Sequence, residues 1–217
     1  MLCLGALKLV LTSKSGVQSD YQKYVLSRIG SLNANFKMFS TQIVVSTHNS
    51  NTREGALKML SEAKKLGPIG GVFHLALVLN DCLIMNHTID KFTETIDSKI
   101  KTFENLDQIT RENGLYLEYF VIFSSIACGK GNASQSNYGY ANSVCERICE
   151  SRRRDGLHGL AIQWGPIGDV GVLAESDINT SLASVVKQRI NCCLEILDKL
   201  LQTRETLVLC IVSLYKS

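Results

Sequence analysis

The chain has 217 residues, of which 45% are hydrophobic and 20% are charged, and its formal net charge is +3 at pH 7. These values fit one globular domain, residues 1–217, with a sizeable core. They argue against nucleic-acid binding, because the one basic cluster, Arg152 to Arg154, ends a predicted helix, where solvated cations suit the helix dipole. No apolar run is long enough to span a bilayer, so we expect no membrane partner and a cytoplasmic location.

Short β-rich segments alternate with longer amphipathic segments along the chain. The predicted strands are residues 8–12, 42–46, 71–76, 119–124, 160–164 and 207–212. The predicted helices are residues 21–31, 52–66, 88–113, 133–154 and 184–201. This alternation is typical of βαβ units, so we expect an α/β fold with a doubly wound parallel sheet and helices on both faces. Ligands of such sheets bind beyond the carboxyl ends of the strands.

The eight cysteines show neither the spacing of a disulfide framework nor a Cys-x-x-Cys pair, so buried thiols in a reducing compartment are the better explanation. Cys145 and Cys149 share a helix face and could bind a metal with outside help. The four histidines, however, are not paired at the spacing of metal ligands. We therefore expect no metal site.

A serine, a tyrosine and an asparagine in the segment 123–142 suit chemistry on a carbonyl group. Ser125 follows a buried strand, and Tyr138 and Asn142 (142 − 138 = 4) lie on neighbouring turns of one helix face. Hydride arriving at a ketone carbon leaves negative charge on oxygen. A phenol neutralises this charge by giving up its proton, and a serine hydroxyl stabilises it by hydrogen bonding. The segment is therefore a candidate active site.

Four segments resemble the ketoreductase domain of animal-type fatty acid synthases, and polyketide synthase ketoreductases are also similar. They read GPIGGVFHLA from Gly67, YFVIFSS from Tyr119, GKGNASQSNYGYAN from Gly129 and IQWGPIGDVG from Ile162. The resemblance covers nearly the whole chain. It implies a Rossmann-like short-chain dehydrogenase/reductase that uses NADPH in fatty acid biosynthesis. Its substrate would be a β-ketoacyl group on an acyl carrier protein, and its partners would be other fatty acid synthase domains.

The same resemblance implies the catalytic residues Lys99, Ser125, Tyr138 and Asn142. Lys101 is a rival for the lysine, although the register of the following residues favours Lys99. An ammonium beside Tyr138 would favour loss of a phenol proton whose ordinary pKa is about 10, and it would also hold the nicotinamide ribose. Taken singly, Asn142 is better explained by a bond within its helix and Lys99 by a solvated helix face. Taken together, the four residues favour catalysis.

Other positions are implied as cofactor-binding residues. Ser13 and Lys14 would bind the adenosine ribose and its 2′-phosphate, and Asn49 would approach the adenine. His74 and Ala76 would lie beside the cofactor, and Gly165 and Pro166 would line its nicotinamide. A surface turn explains Asn49 equally well, and a satisfied strand histidine explains His74. The segment from Val170 to about residue 184 would form a substrate lid.

The resemblance also predicts the product and an incomplete start. Leu79 and Asp81 match two positions of the Leu-Asp-Asp motif of ketoreductases that form the 3R alcohol. Lys130 stands where the opposite class has tryptophan, so we expect a (3R)-hydroxyacyl product. None of the 16 glycines forms the family's glycine-rich turn. We therefore expect the chain to be N-terminally incomplete. The missing strand would lie in the sheet between the predicted strands 8–12 and 71–76. The alternative function is a non-catalytic reductase-like remnant with a structural or partner-binding role.

Overall fold

The computed structural model describes residues 6–35, 41–171 and 185–213. The strands are β1 (Lys8–Thr12), β2 (Gln42–Ser46), β3 (Gly71–His74), β4 (Tyr119–Ser125), β5 (Leu160–Trp164), β6 (Val185–Val186), β7 (Leu207–Cys210) and β8 (Val212–Ser213). The helices are α1 (Asp20–Asn35), α2 (Arg53–Leu66), α3 (Ile89–Ile96), α4 (Thr102–Glu112), α5 (Ile126–Gly129), α6 (Ser136–Arg154) and α7 (Ile190–Leu201). A 3-10 turn lies at Ile84–Asn86 and a π turn at Asp97–Lys101.

A parallel sheet in the order β3-β4-β5-β7 forms the centre of the fold. Its two central strands are the most buried: all five residues of β5 are buried, and Phe120, Val121 and Ile122 of β4 are inaccessible to solvent. Helices α2, α4 and α6 pack on the face that carries Phe120 and Ile122, and α7 packs on the face that carries Val121. Both faces are therefore covered, which confirms the predicted α/β fold class.

Strands β1 and β2 form a second parallel sheet, in which Lys8 pairs with Gln42. Within the described residues, no strand pairing joins this sheet to β3. One edge of β1 and one edge of β3 are therefore both unpaired. The short strands β6 and β8 pair antiparallel with each other.

Several predicted boundaries were wrong. The predicted strand 71–76 ends at His74, because the chain then leaves the sheet and the carbonyl of Ala76 accepts from a lysine side chain instead. The predicted helix 88–113 begins after Thr88, whose hydroxyl caps it, and the π turn divides it into α3 and α4. The predicted helix 184–201 begins at Ile190, because residues 185–186 form β6. Beyond residue 171, the predicted lid lies outside the described residues.

Arg152 also departs from its prediction as a solvated residue. Its side chain is buried, and its Nη1 lies 2.6 Å from Asp107 Oδ1. Its Nε donates to the carbonyl of His158, and its guanidinium stacks 3.9 Å from the centre of the Phe120 ring. The aromatic contact and three polar partners, the third being the Thr110 hydroxyl, replace the water that the cation loses. Arg152 therefore belongs to the core, and only its neighbour Arg154 is exposed.

No helix among the described segments is long and apolar enough to cross a membrane.

Candidate active site

A cavity of about 260 Å³ lies at the carboxyl ends of β4 and β5. Strand β4 contributes Ser125, helix α6 contributes Tyr138, and the loop after β5 contributes Gly165 and Pro166. Lys99 reaches the same cavity from the π turn. Because parallel strands end at one edge of their sheet, residues far apart in sequence meet here. The structure thus brings five of the predicted site residues together.

Lys99 is held at the cavity by main-chain groups. Its side chain is only 2% exposed, and its Nζ donates to the carbonyls of Ala76 at 3.2 Å and Phe123 at 3.1 Å. Burial lowers the pKa of Lys99 to about 8. No carboxylate in the described segments forms an ion pair with its ammonium that would oppose this shift. The rival, Lys101, is half exposed and forms an ion pair with Asp97 at 2.7 Å. Of the two lysines, Lys99 is therefore the one that lines the cavity.

Tyr138 lies under the ammonium of Lys99, whose Nζ is 5.6 Å from the centre of the phenol ring. Burial raises the pKa of Tyr138, and hydrogen bonding with the side chains of Asn142 and Ser125 opposes that shift to a smaller extent. The phenol is therefore protonated at neutral pH. It can act as a proton donor.

Ser125 has a structural contact as well as a place in the cavity. Its Oγ caps the short helix α5 by accepting from the N–H of Ala127 at 3.2 Å. A hydroxyl that accepts one bond still has its own hydrogen to donate. The capping bond fixes a hydroxyl that lines the cavity, so the structural and the chemical explanations are compatible.

Asn142 is fully buried on the next turn of α6, behind Tyr138. Its Nδ2 donates to the Tyr138 carbonyl at 2.9 Å, which is the bond within the helix that the sequence left open. Its Oδ1 is buried and has no partner among the described residues. An unpaired buried acceptor costs free energy, so a donor such as a water molecule is expected beside it.

Gly165 and Pro166 are held in place by a residue that the sequence did not single out. Gln188 is buried, its N–H donates to the carbonyl of Pro166 at 2.7 Å, and its Nε2 donates to the carbonyl of Cys210 at 2.8 Å. A Cβ at Gly165 would lie 2.6 Å from the Gln188 amide nitrogen, so any larger residue there would require the Gln188 side chain to shift. Gln188 thereby fixes one wall of the cavity.

Glu146 is a second residue that sequence reasoning missed. It is buried, and its carboxylate accepts from Ser124 Oγ at 2.5 Å and from Gln163 Nε2 at 2.9 Å. These bonds join the ends of β4 and β5 beneath the cavity. Spacing offered a signal, because Glu146 is four residues after Asn142 and shares its helix face.

The predicted adenosine-binding residues lie outside the cavity. Ser13 closes a turn by donating from its hydroxyl to the carbonyl of Gly16, and Lys14 is exposed beside it. Asn49 also forms a turn, in which its Oδ1 accepts from the N–H of Asn51. The surface-turn explanation of Asn49 thus matches its contacts.

His74 and Ala76 contact Lys99 rather than the cavity. The His74 ring is buried, and its Nε2 lies 2.9 Å from the carbonyl oxygen of Lys99. Ala76 contributes the carbonyl described above. The predicted cofactor contact of His74 stays a prediction, since its ring is not among the groups that line the cavity.

Of the residues predicted to set stereochemistry, only Leu79 lies at the cavity. Asp81 accepts from Gln135 Nε2 at 2.8 Å, and Lys130 is exposed.

An α/β fold whose serine, tyrosine and lysine meet at the carboxyl edge of a parallel sheet defines a reductase of the short-chain dehydrogenase/reductase superfamily. Residues 1–169 match the family model described as "KR domain", so the chain belongs to that family. This fold implies a nicotinamide cofactor.

Polyketide synthases are among the proteins similar to this chain. The chain is 30% identical over 176 residues to squalestatin hexaketide synthase clz14 of Cochliobolus lunatus, covering 81% of this chain and 6% of the relative. It is 30% identical over 174 residues to the highly reducing polyketide synthase ACTTS3 of Alternaria alternata, covering 80% of this chain and 7% of the relative. The chain therefore spans only a small part of these relatives. Neither relative is described as a fatty acid synthase.

Solved ketoreductases share the fold. A structure of A-type ketoreductases from a modular polyketide synthase has a TM-score of 0.82 and 25% identity, over 95% of this chain and 42% of that one. A ketoreductase domain from the bacillaene assembly line has a TM-score of 0.83, 22% identity, and coverage of 95% and 50%. The second likeness is evidence of fold alone.

Proposed function

We propose that this chain is the ketoreductase part of a multienzyme and uses NADPH to reduce a β-ketoacyl thioester on an acyl carrier protein. The observation that carries this proposal is the meeting of Lys99, Ser125 and Tyr138 in one cavity. Hydride transfer to a ketone needs a proton donor and a hydrogen-bond donor at the same oxygen, and Tyr138 and Ser125 have those capacities.

Tyr138 would give its proton to the substrate oxygen as negative charge develops there. Its raised pKa keeps the phenol protonated until that charge appears. Ser125 would donate its remaining hydrogen to the same oxygen, since its other bond is the accepted one from Ala127. The Lys99 ammonium over the ring favours the phenolate that forms. The bound cofactor would supply the hydride.

Two unsatisfied groups near Tyr138 fit the ribose end of a nicotinamide cofactor. An ammonium has three N–H donors, and Lys99 uses two of them on carbonyls. The third is available for a ribose hydroxyl. The buried Oδ1 of Asn142 can accept from a water molecule that passes protons to the site. NADPH in preference to NADH would depend on Lys14, whose ammonium is a point charge rather than the bidentate fork of an arginine.

The pyrophosphate end of the cofactor fits less well. The sequence contains no glycine-rich turn of the family's kind, and the edges of β1 and β3 are unpaired within the described part of the chain. We propose that a strand and a glycine-rich turn from outside this sequence pair with those edges and hold the diphosphate. The split between the sheets also favours a second candidate, a non-catalytic remnant that lacks the phosphate site.

The biosynthetic setting and the product are further proposals. The similarity to polyketide synthases favours polyketide assembly, whereas the sequence motifs resemble fatty acid synthases, and either setting supplies β-ketoacyl thioesters. The Leu79 and Asp81 motif supports a (3R)-hydroxyacyl product. A cytoplasmic location agrees with the free thiols of the described cysteines.

The test uses the purified chain alone and the chain fused to the first strand and glycine-rich turn of a related KR domain. Calorimetry measures NADPH and NADH binding, and cofactor absorbance follows reduction of a β-ketoacyl thioester. We expect weak binding and no turnover for the chain alone, and NADPH binding with a 3R product for the fusion. A fusion that binds neither cofactor and reduces nothing would contradict the proposal and favour the remnant.

A further inference from the structure

His74 is a buried histidine whose ring contacts the main chain of Lys99. It is the last residue of β3, it is 4% exposed, and its ring stacks on Phe103 with centroids 5.1 Å apart. The stacking fixes the plane of the imidazole. Its Nε2 lies 2.9 Å from the carbonyl oxygen of Lys99. Because a carbonyl oxygen can only accept, Nε2 carries the hydrogen.

The accepting carbonyl belongs to the π turn at Asp97–Lys101. A π turn replaces the regular α-helical bonds with longer-range ones, and such turns frequently occur at functional sites. The oxygen of Lys99 accepts from the N–H of Thr102 and also from His74. The histidine therefore supports the main chain at the point where the helix is irregular.

The opposite end of Lys99 is held by the same segment of chain. Its Nζ donates to the carbonyl of Ala76, two residues after His74, and to the carbonyl of Phe123 at the end of β4. The segment from His74 to Ala76 therefore contacts Lys99 at both its carbonyl and its ammonium. Because this segment is short, it limits the distance between the two contacts.

We propose that His74 is a positioning residue for Lys99, holding the π turn so that the ammonium stays in the cavity over Tyr138. This rests on the proposed function in one respect, that Lys99 is the lysine of the reaction.

The titratable groups that interact with Lys99 are His74, Cys145 and Tyr138. Burial and the nearby ammonium lower the pKa of His74 to about 3, so its neutral ring keeps the donor across the working range of pH.

The test measures the titration of Lys99 itself, which needs neither cofactor nor substrate. Protein carrying ¹³C-labelled lysine is titrated by NMR, and the Lys99 signal is assigned by its loss in Lys99→Met. His74→Phe retains an aromatic ring on Phe103 but removes the donor. His74→Gln places an amide N–H near the position of Nε2. The matched control is His158→Phe, which removes another partly buried histidine and its bond to the N–H of Phe120 at the far end of β4.

We expect the native protein and His158→Phe to show Lys99 titrating near pH 8. In His74→Phe the released ammonium should reach solvent, and its titration should move by at least about one unit toward the ordinary lysine value of about 10.4. His74→Gln should remain near the native value. If His74→Phe does not fold, His74→Leu carries the same expectation. A native titration in His74→Phe or His74→Leu, or an equal shift in His158→Phe, would overturn the proposal.

Turnover of the fusion described above separates this inference from the proposed function. We expect His74→Phe to lower kcat about tenfold and His74→Gln to restore most of it. If His74→Phe shifts the Lys99 titration but the fusion with native His74 reduces no ketone, the proposed function is refuted and the positioning role stands. Normal ketone reduction together with an unshifted titration in His74→Phe would refute the positioning role alone.

Discussion

The Nζ atom of Lys99 lies over the face of the Tyr138 ring, 5.6 Å from its centre. This separation is within the range of cation–π attraction. The two residues come from different elements, the π turn and α6, so their approach depends on the packing of those elements rather than on local sequence.

The first prediction concerns Tyr138. In the fusion protein, Tyr138→Phe should reduce turnover by two or more orders of magnitude, because it removes the proton donor and leaves the ring in place. NADPH affinity, measured by calorimetry, should change little. Tyr140→Phe is the matched control, since Tyr140 is half exposed on the same helix, and it should keep native turnover. Full turnover in Tyr138→Phe would remove the tyrosine from the mechanism.

The second prediction separates the two lysines. Lys99→Ala should lower turnover and weaken NADPH binding in the fusion protein, because it deletes the ammonium in the cavity. Lys101→Ala should change both by less than about twofold, since it removes only an exposed ion pair with Asp97. Steady-state kinetics and calorimetry provide the comparison. The reverse pattern would move the active lysine by two positions.

The third prediction follows from the burial of Lys99. Its pKa is lowered from 10.5 to about 8, so between these values the unfolded chain holds a proton that the folded chain has lost. Stability therefore rises with pH in that window, and the full penalty applies below pH 8. Lys99→Met removes the penalty. The free energy of unfolding of the variant relative to native should fall by about 3 kcal/mol from pH 7 to 10.5. Urea denaturation at several pH values measures it, and a pH-independent difference would contradict it.

The fourth prediction is a loss of stability in acid. Burial is the largest cause that lowers the pKa of His74 to about 3 and of His158 to about 4, from 6.5. Both contribute full stability above pH 6.5 and lose it as pH falls, because the unfolded chain binds protons first. Each proton is worth at most about 1.4 kcal/mol per pH unit. His158→Asn retains an acceptor for Phe120 but does not titrate, so its unfolding free energy should depend less on pH between 6.5 and 4. Parallel native and variant curves would refute this.

The fifth prediction tests the buried Arg152. Arg152→Ala should lower the free energy of unfolding by about 2–3 kcal/mol, because it removes the buried contact with Phe120 and the bonds to Asp107 and His158, although Asp107 keeps its ion pair with Arg111. Arg154→Ala, at the exposed end of the same cluster, should change it by less than about 0.5 kcal/mol. Equal effects of the two substitutions in urea denaturation would show that Arg152 is solvated after all.

Regular elements could be predicted from sequence where one pattern dominates. Strands β1, β2 and β5 have the predicted boundaries, since each is a short apolar or β-branched run between polar segments. The meeting of Ser125 and Tyr138 was also accessible, because a strand end and a helix start must share the carboxyl edge of a parallel sheet.

Other features depend on contacts that a sequence pattern does not show. The π turn alters the helix by a local insertion, and the apolar spacing of residues 88–113 is compatible with an uninterrupted helix. Arg152 is buried because Asp107 and Phe120 approach it from distant elements. Gln188 fixes the Pro166 wall through a main-chain bond that no spacing rule predicts.

The separation of the β1-β2 sheet from the β3-β4-β5-β7 sheet divides the backbone into two ladders with no hydrogen bond between their described strands. Opening β1-β2 breaks only its own ladder, whereas the amides of β4 are protected by neighbouring strands on both sides. Deuterium would therefore enter β1 and β2 as one early unit and β4 and β5 as a later one. A segment that paired with the free edges of β1 and β3 would merge the two units into a single cooperative barrier.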